Sequence, residues 1–199
     1  MSRVGKVFDT IDEKLAAWIL RQRLFFVGTA PSGDQGHVNV SPKGDLATFR
    51  IVDPTTVAYL DYVGSGVETI AHLKENGRIV VMLCAFDGPP RIVRLHGTGR
   101  VHQLGEPGFD VRIEALGFGE LAAAGTARSI VEIALVRISD SCGYSVPLMD
   151  YVGTRPHQAD WAAKKLRQGP DATRAYTASK NATSLDGLPG IDPSLLNRS

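Results

Sequence analysis

The sequence predicts one mainly β domain with helices at its periphery. From residue 24 onward, runs rich in β-branched and aromatic residues are separated by Gly, Pro, Asp and Asn, as strands and their turns are. The main runs are LFFVGTA, TVAYLDY, RIVVMLCAF and RIVRLHGTGRV. Apolar residues make up 43% of the 199 residues, which is enough for one well-buried core, and a second independent core would be small.

The first predicted element is a helix that precedes the sheet. Thr10 and Glu13 have the spacing at which both side chains cap free backbone amides, so we expect the helix to open there. Its buried stripe is predicted to be Ile11, Leu15, Trp18 and Ile19. After LFFVGTA, the turn PSGDQG is typical of a hairpin and leads into short strands around VNVS and LATFRIV.

The central strands predict a closed sheet. The run from Arg78 to Phe86 is apolar or small at every position after Arg78, so both faces of this strand must be covered. In an antiparallel sheet this pattern favours a barrel packed against something else, of which a second subunit is the simplest. The next run alternates, and its Gly97 and Gly99 indicate a bend or a close backbone approach.

The last third of the chain predicts two further helices and one strand. A helix is expected from Pro107 to about Leu116, and SIVEIALVRIS follows as the last strand. After Asp140 the composition changes to a tail with one predicted helix, residues 160–168, which Gly169 and Pro170 close.

Composition narrows the classes of function. Lys and Arg number 22 and Asp and Glu number 21, so the balance favours neither nucleic acid nor an anionic membrane as a partner. We see no signal-peptide core and no apolar run long enough to span a bilayer, and we expect a cytoplasmic protein. Cys84 and Cys142 are too few for a disulfide framework and are expected to be reduced.

The sharpest local motif is YLDYVGSGVETIAHLKENGRI, which predicts a strand, a glycine-rich turn and a helix from about Val67 to Glu75. Glycines at 64 and 66 let the backbone approach a ligand, and the first-turn amides with the helix dipole favour an anion such as phosphate. The same residues also fit a capping box of Ser65 and Glu68 that binds nothing. The turn matches neither GxGxxG nor a Walker A loop, so it predicts neither a Rossmann nor a P-loop fold.

A second motif, NVSPKG at residues 39–44, could bring Ser41 and Lys43 to an anion, or it could be a solvated turn. No metal site is predicted, because His96 and His102 share a strand face but lie about 20 Å apart. His72 stands three residues after Thr69, close to the expected anion site, and it also fits an ordinary surface histidine of the helix. No GxSxG or HExxH motif is present, so no catalytic residue is predicted.

In this order, FFVGTA, NVSPKG, the glycine-turn motif and RIVRLHGTGRV resemble the flavin-binding split-barrel superfamily of pyridoxamine 5'-phosphate oxidase, over residues 24–138. The tail segments SCGYSVPLMDYVG and KNATSLDGLPG resemble those of a branch distinct from the oxidase itself. The resemblance implies a six-stranded antiparallel split β-barrel that forms a homodimer and binds FMN at the subunit interface. It divides the chain into an N-terminal helix packing on the barrel (1–23), the FMN-binding barrel (24–140) and a tail (141–199) in the same domain or at the dimer interface.

The resemblance also implies the cofactor-binding residues. One corner would lie along the isoalloxazine ring and the phosphate; it comprises Val40, Ser41, Pro42 and Lys43. The strand-to-helix turn would contact the phosphate through Ser65, Gly66, Glu68 and Thr69. The oxidase has an Arg on the first corner and an Arg-Lys pair at the helix start, so phosphate binding here would rely on backbone amides, Lys43 and hydroxyls. The oxidase's substrate-binding tail is not found, and vitamin synthesis is not expected.

The predicted function is an FMN-dependent oxidoreductase that transfers hydride through flavin N5 to or from an unknown small-molecule substrate. We expect the substrate to be bounded by Tyr62, Arg94, Tyr144 and Trp161. A flavin carrier or sensor without turnover is the alternative, as is the same barrel holding a deazaflavin coenzyme or haem. In the haem case His72 or His96 would be the candidate ligand.

Overall fold

A computed structural model describes residues 5–44, 46–169 and 171–196. Its strands are β1 (Val7–Phe8), β2 (Phe25–Thr29), β3 (Asn39–Lys43), β4 (Phe49–Asp53), β5 (Thr56–Tyr62), β6 (Arg78–Cys84), β7 (Ile92–Gln103) and β8 (Ala127–Ser141). Its α-helices are α1 (Glu13–Leu20), α2 (Glu68–Asn76), α3 (Phe109–Ala115), α4 (Gly119–Ala122), α5 (His157–Arg167) and α6 (Ala172–Lys180). A 3₁₀-helix, Leu46–Thr48, precedes β4.

The strands form one antiparallel sheet that curls on itself without closing. Over the described residues the hydrogen-bonded order is β3-β2-β6-β7-β8-β5-β4, with β1 paired to β8. Although β2 and β4 lie near opposite ends of this order, the Phe25 and Phe49 rings are 5.2 Å apart. Distant strands therefore share one core, as in a split barrel. The predicted mainly β fold with peripheral helices is confirmed, with eight strands in the described residues where the resemblance implied six.

Helix α1 packs on the core through the predicted stripe. Leu15 and Ile19 are buried in the same cluster as Phe25 and Phe49, whereas Trp18 is only partly buried. The predicted cap at Thr10 is wrong, because Asp12 is the N-cap and its carboxylate accepts the Leu15 N–H at 2.7 Å. A short acidic side chain at this position satisfies a free amide of the first turn.

The central strands β6 and β7 show two of the predicted features, a strand that needs cover on both faces and a close backbone approach at a glycine. On β6, Ile79, Val81 and Leu83 are buried in the core, while Val80 and Met82 on the other face are only partly covered by the chain itself. On β7, a Cβ at Gly97 would collide with the Ala134 carbonyl oxygen, which confirms the predicted close backbone approach. The pairing of β7 with β8 also shifts register there, between His96 and Gly97.

Helix α2 is positioned by the sheet below it and by the C-terminal tail. It ends at Gly77, as predicted, and Ile70 and Leu73 are buried. Ile191 and Leu196 of the tail pack against Val67 and Ile70 at its other end. The helix predicted at 160–168 is observed as α5, whereas α6 has no counterpart among the predictions. In the described part of the chain, no helix has the length and apolar character needed to cross a bilayer.

Candidate functional site

Strand β3 turns alternate side chains to opposite faces of the sheet. Asn39, Ser41 and Lys43 are partly buried and face α2 and β5, whereas Val40 and Pro42 point outward and are exposed. The period of two in a strand produces this division. The predicted corner residues therefore divide into an inward polar pair, Ser41 and Lys43, and an outward apolar pair.

Asn39 joins the two predicted motifs. Its side-chain amide lies 3.0 Å from Thr69 Oγ1 on the first turn of α2 and 3.2 Å from Ser41 Oγ on its own strand. Residues 30 positions apart in sequence are thus in direct contact. The sequence motifs NVSPKG and GSGVET are therefore in contact, and Asn39, which was not among the predicted site residues, makes the contact.

The turn at Gly64-Ser65-Gly66 leaves the first amides of α2 without a side-chain cap. The N-cap is Val67, which makes no side-chain capping bond, and Ser65 is exposed. Glu68 instead turns its carboxylate toward Gly66 and accepts the Leu185 N–H at 3.3 Å. The capping box of Ser65 and Glu68 is therefore not formed, and the anion-binding interpretation of this turn remains.

A buried ion triad lies beneath the turn. The Asp61 carboxylate is 2.6 Å from Lys43 Nζ and 2.7 Å from Arg128 Nε, and Asp61 and Arg128 are 2% and 4% exposed. Burial alone would raise the pKa of Asp61, but Arg128 and Lys43 together outweigh it and lower the pKa to about 2. The triad is one unit positive, and Lys43 is its most exposed member.

Arg128 reaches Asp61 because β8 has a bulge at this point. Asp61 pairs with Ser129 and Tyr62 pairs with Ala127, so Arg128 is the extra residue between the two pairs. A bulge of this kind re-aims a side chain that regular alternation would send to the other face. Sequence reasoning missed Arg128, although a cation in one apolar strand and an Asp in another were a usable signal.

Arg128 and Asn181 hold the carbonyls of the glycine turn. Arg128 Nη1 donates to the Gly66 carbonyl at 2.7 Å and to Asn181 Oδ1 at 2.8 Å. Asn181 Nδ2 donates to the Gly64 carbonyl at 2.9 Å. Both outer residues of the turn are therefore held through their carbonyls by buried side chains.

His72 lies on α2, where its side chain faces Thr29 of β2. It is fully buried, its Nδ1 is 3.0 Å from Thr29 Oγ1, and its Nε2 has no hydrogen-bond partner among the described residues. Burial lowers the pKa of His72, so the imidazole is neutral at neutral pH. His96 is partly buried on β7, where burial and then Arg137 and Arg94 lower its pKa. Within the described ranges, no group of three His, Cys, Asp or Glu residues could hold a metal ion.

The predicted substrate residues are not gathered in one place. Tyr62 lines a cleft of about 260 Å³ between the barrel and α5, together with Thr48, Arg155 and Ala162. Arg94 bonds Ser141 at 2.8 Å, Trp161 packs edge-on against Tyr176, and Tyr144 is exposed. Tyr62 is the one member of the predicted set that lines this cleft.

Comparison with known proteins identifies a family model and a related protein that each match most of this chain. The sequence model described as pyridoxamine 5'-phosphate oxidase matches residues 11–142. The pyridoxamine 5'-phosphate oxidase family protein ustO of Aspergillus flavus is 36% identical over 204 aligned positions, which cover 96% of this chain and 80% of that protein.

Solved structures with a similar chain trace are more distant in sequence. An FMN-binding protein of Syntrophomonas wolfei is 19% identical, with a TM-score of 0.43 over 58% of this chain and 75% of that chain. A stress-protein relative from Clostridium acetobutylicum is 18% identical, with a TM-score of 0.44 over 63% and 86%. A FAD-binding protein of Mesorhizobium loti is 11% identical, with a TM-score of 0.44 over 69% and 95%.

Proposed function

Because the chain belongs to the pyridoxamine 5'-phosphate oxidase family, we propose that it binds a flavin, FMN, and acts as an oxidoreductase on a small-molecule substrate. The observation that carries the proposal is the Asn39 bridge, which places the polar face of β3 against the uncapped first turn of α2. FMN, when bound, supplies hydride transfer at its N5. The chain's own residues bind it and orient it.

The residues at this site fit a phosphate. Uncapped first-turn amides, the exposed Ser65 and the Ser41 and Thr69 hydroxyls are donors, and the ion triad beneath them is one unit positive. Lys43 is the member of the triad that belongs to β3, and its Nζ donates to Asp61. Glu68 opposes an anion at the turn, because its carboxylate faces Gly66.

We place the ring of the flavin along the outer face of β3. Val40 on this face is 63% exposed, and Val38, just before the strand begins, is 73% exposed. In the sheet register Val40 lies in one row with Gly28 of β2 and Val80 of β6. This apolar row, with the partly covered Met82, supports a homodimer in which a second copy of the chain covers the face. We also propose a cytoplasmic location, which suits the free thiols of Cys84 and Cys142.

The decisive experiment is the absorbance spectrum of the purified protein and the mass of the ligand that it releases. We expect a flavin spectrum and the mass of FMN, or uptake of FMN on titration. A Soret band would favour haem, with His72 or His96 as ligand, and a deazaflavin mass would favour that coenzyme. A colourless protein that takes up no flavin would overturn the proposal. Fast anaerobic reduction by a nicotinamide donor, followed at the flavin absorbance, separates an oxidoreductase from a carrier.

Substituting Glu68→Gln should strengthen FMN binding. The carboxylate faces the turn that is proposed to hold the phosphate, so its removal relieves about 1 kcal/mol of like-charge repulsion, or about fivefold in Kd. Titration calorimetry with FMN and with riboflavin, which lacks the phosphate, measures the effect. Riboflavin affinity should not change.

The matched control is Glu75→Gln, which makes the same charge change at the other end of α2 and should leave both affinities as they are. If Glu68→Gln weakens FMN binding, Glu68 contacts the cofactor favourably, and the phosphate does not lie on the Gly66 side of the turn.

A further inference from the structure

A segment of the C-terminal tail, residues 181–192, lies against the start of α2, and we call it the strap. Asn181 at its beginning donates to the Gly64 carbonyl, and Ile191 N–H donates back to the Asn181 carbonyl at 2.7 Å. Gly190 lies so close to Val67 and to the Asn181 carbonyl that any Cβ there would collide with them. Lys74 Nζ donates to the Gly190 carbonyl from the next turns of α2. The strap is therefore held against α2 by hydrogen bonds and by close packing at Gly190.

The tip of the strap, residues 184–188, is a defined turn. Its two ends exchange hydrogen bonds, because Ser184 N–H donates to the Leu188 carbonyl at 2.9 Å and Leu188 N–H donates to Ser184 Oγ at 3.1 Å. Just outside the tip, Thr183 and Pro189 form an antiparallel bridge. The tip thus has a shape that its own hydrogen bonds define.

The tip connects the two elements that form the proposed phosphate site. Leu185 N–H donates to the Glu68 carboxylate on α2. The Asp186 carboxylate accepts from the backbone N–H of His37 at 2.9 Å and lies 2.6 Å from its Nδ1, just before β3 begins. Hydrogen bonds from His37 lower the pKa of Asp186. The tip therefore spans from the first turn of α2 to the hairpin that leads into β3.

We propose that this bridge makes the site selective for a flavin that ends at its monophosphate over a flavin dinucleotide. The inference rests on the proposed function. The tip bonds both elements between which the phosphate is proposed to lie, α2 through Glu68 and the start of β3 through His37, so a ligand that continues past the phosphate would meet the tip. FMN ends there, whereas FAD continues through a second phosphate into an adenosine group. Exclusion by a fixed part of the protein is a standard source of specificity.

The test is the ratio of the FAD and FMN dissociation constants for the whole protein and for a variant with a shortened tip. Replacing residues 184–188 by Gly-Gly joins Thr183 to Pro189, which already pair across the strap, by a two-residue hairpin turn. Asn181, Gly190 and Ile191 keep their contacts. For the unaltered protein we expect FMN to bind at least about 30-fold more tightly than FAD, and for the variant less than about 3-fold, mainly through tighter FAD binding.

The matched control is Asp186→Asn, which removes the charge of the tip and keeps its shape and an acceptor for His37. Both flavins are anionic, so their affinities should rise together and the ratio should stay constant. If the shortened variant does not fold, the double substitution His37→Ala with Asp186→Ala separates the tip from the hairpin and should lower the same ratio.

The outcomes separate this inference from the proposed function. Equal affinity of the unaltered protein for FMN and FAD would overturn the selectivity and leave flavin binding in place. A ratio that survives both the shortened tip and the separated tip would also overturn it. Binding of neither flavin would overturn the proposed function, and the selectivity would fail with it.

Discussion

Replacing Asp61 by Asn should cost about 3 kcal/mol of the free energy of unfolding, the usual penalty for leaving a buried ion without its partner. Asp61 lies between Lys43 and Arg128, and Arg128 is almost fully buried. Asn keeps the shape of the side chain but leaves the guanidinium uncompensated. Urea denaturation followed by circular dichroism measures the change.

A double-mutant cycle of Asp61→Asn and Arg128→Met tests whether the loss of stability comes from the unpaired Arg128 charge. Removing both charges together should cost less than the two single losses added, because neither ion is then left unpaired. Asp87→Asn on the exposed loop between β6 and β7 makes the same chemical change at the surface and should alter the free energy of unfolding by less than about 0.5 kcal/mol. Additive losses in the cycle would show that the triad is not an interacting unit.

The same carboxylate sets an expected dependence of stability on pH. Its pKa is about 2 in the folded protein, below the ordinary value of 3.8, so its contribution is present above pH 4 and is lost as the pH falls toward 2. The difference between those two values corresponds to about 2 kcal/mol. The unfolding curves of the unaltered protein and of Asp61→Asn should therefore converge in acid. Curves that stay parallel from pH 6 to pH 2.5 would contradict the assignment.

The parts of this fold that local sequence determines were predictable. The end of α2 at Gly77 and the hairpin between β2 and β3 follow from turn residues acting within a few positions. Where two local signals competed, the sequence did not decide between them. Thr10 and Asp12 are both acceptable caps, and the backbone selects Asp12, while the Ile11 N–H bonds the Pro54 carbonyl.

The candidate site shows the same division between local and long-range information. Its two motifs were found because each is a short run with its own turn chemistry. Asn39, Arg128 and Asn181 were missed because their roles depend on contacts across 30, 67 and 53 positions, made by strand register and by the return of the tail. The bulge that aims Arg128 inward contradicts simple alternation, so a period of two would have placed its side chain wrongly.

Asn181 should act on cofactor binding through the glycine turn. It is fully buried, donates to the Gly64 carbonyl and accepts from Arg128. Asn181→Ala leaves the partly buried Gly64 carbonyl and a buried guanidinium N–H of Arg128 without this partner, which should cost about 2 kcal/mol of the free energy of unfolding. The turn is then free to move, and FMN affinity should fall by about tenfold as its amides lose their fixed direction.

Riboflavin distinguishes positioning of the turn from loss of stability alone. It lacks the phosphate, so a turn that acts through the phosphate should leave riboflavin affinity unchanged in Asn181→Ala while FMN affinity falls. Ile133→Val, which removes a buried methylene from the core cluster, is the control for loss of stability and should leave the FMN-to-riboflavin ratio unchanged. Equal loss of both flavins in Asn181→Ala would mean that the residue supports the fold as a whole. A loss confined to FMN means that a tail residue, remote in sequence from both binding motifs, determines how tightly the phosphate is held.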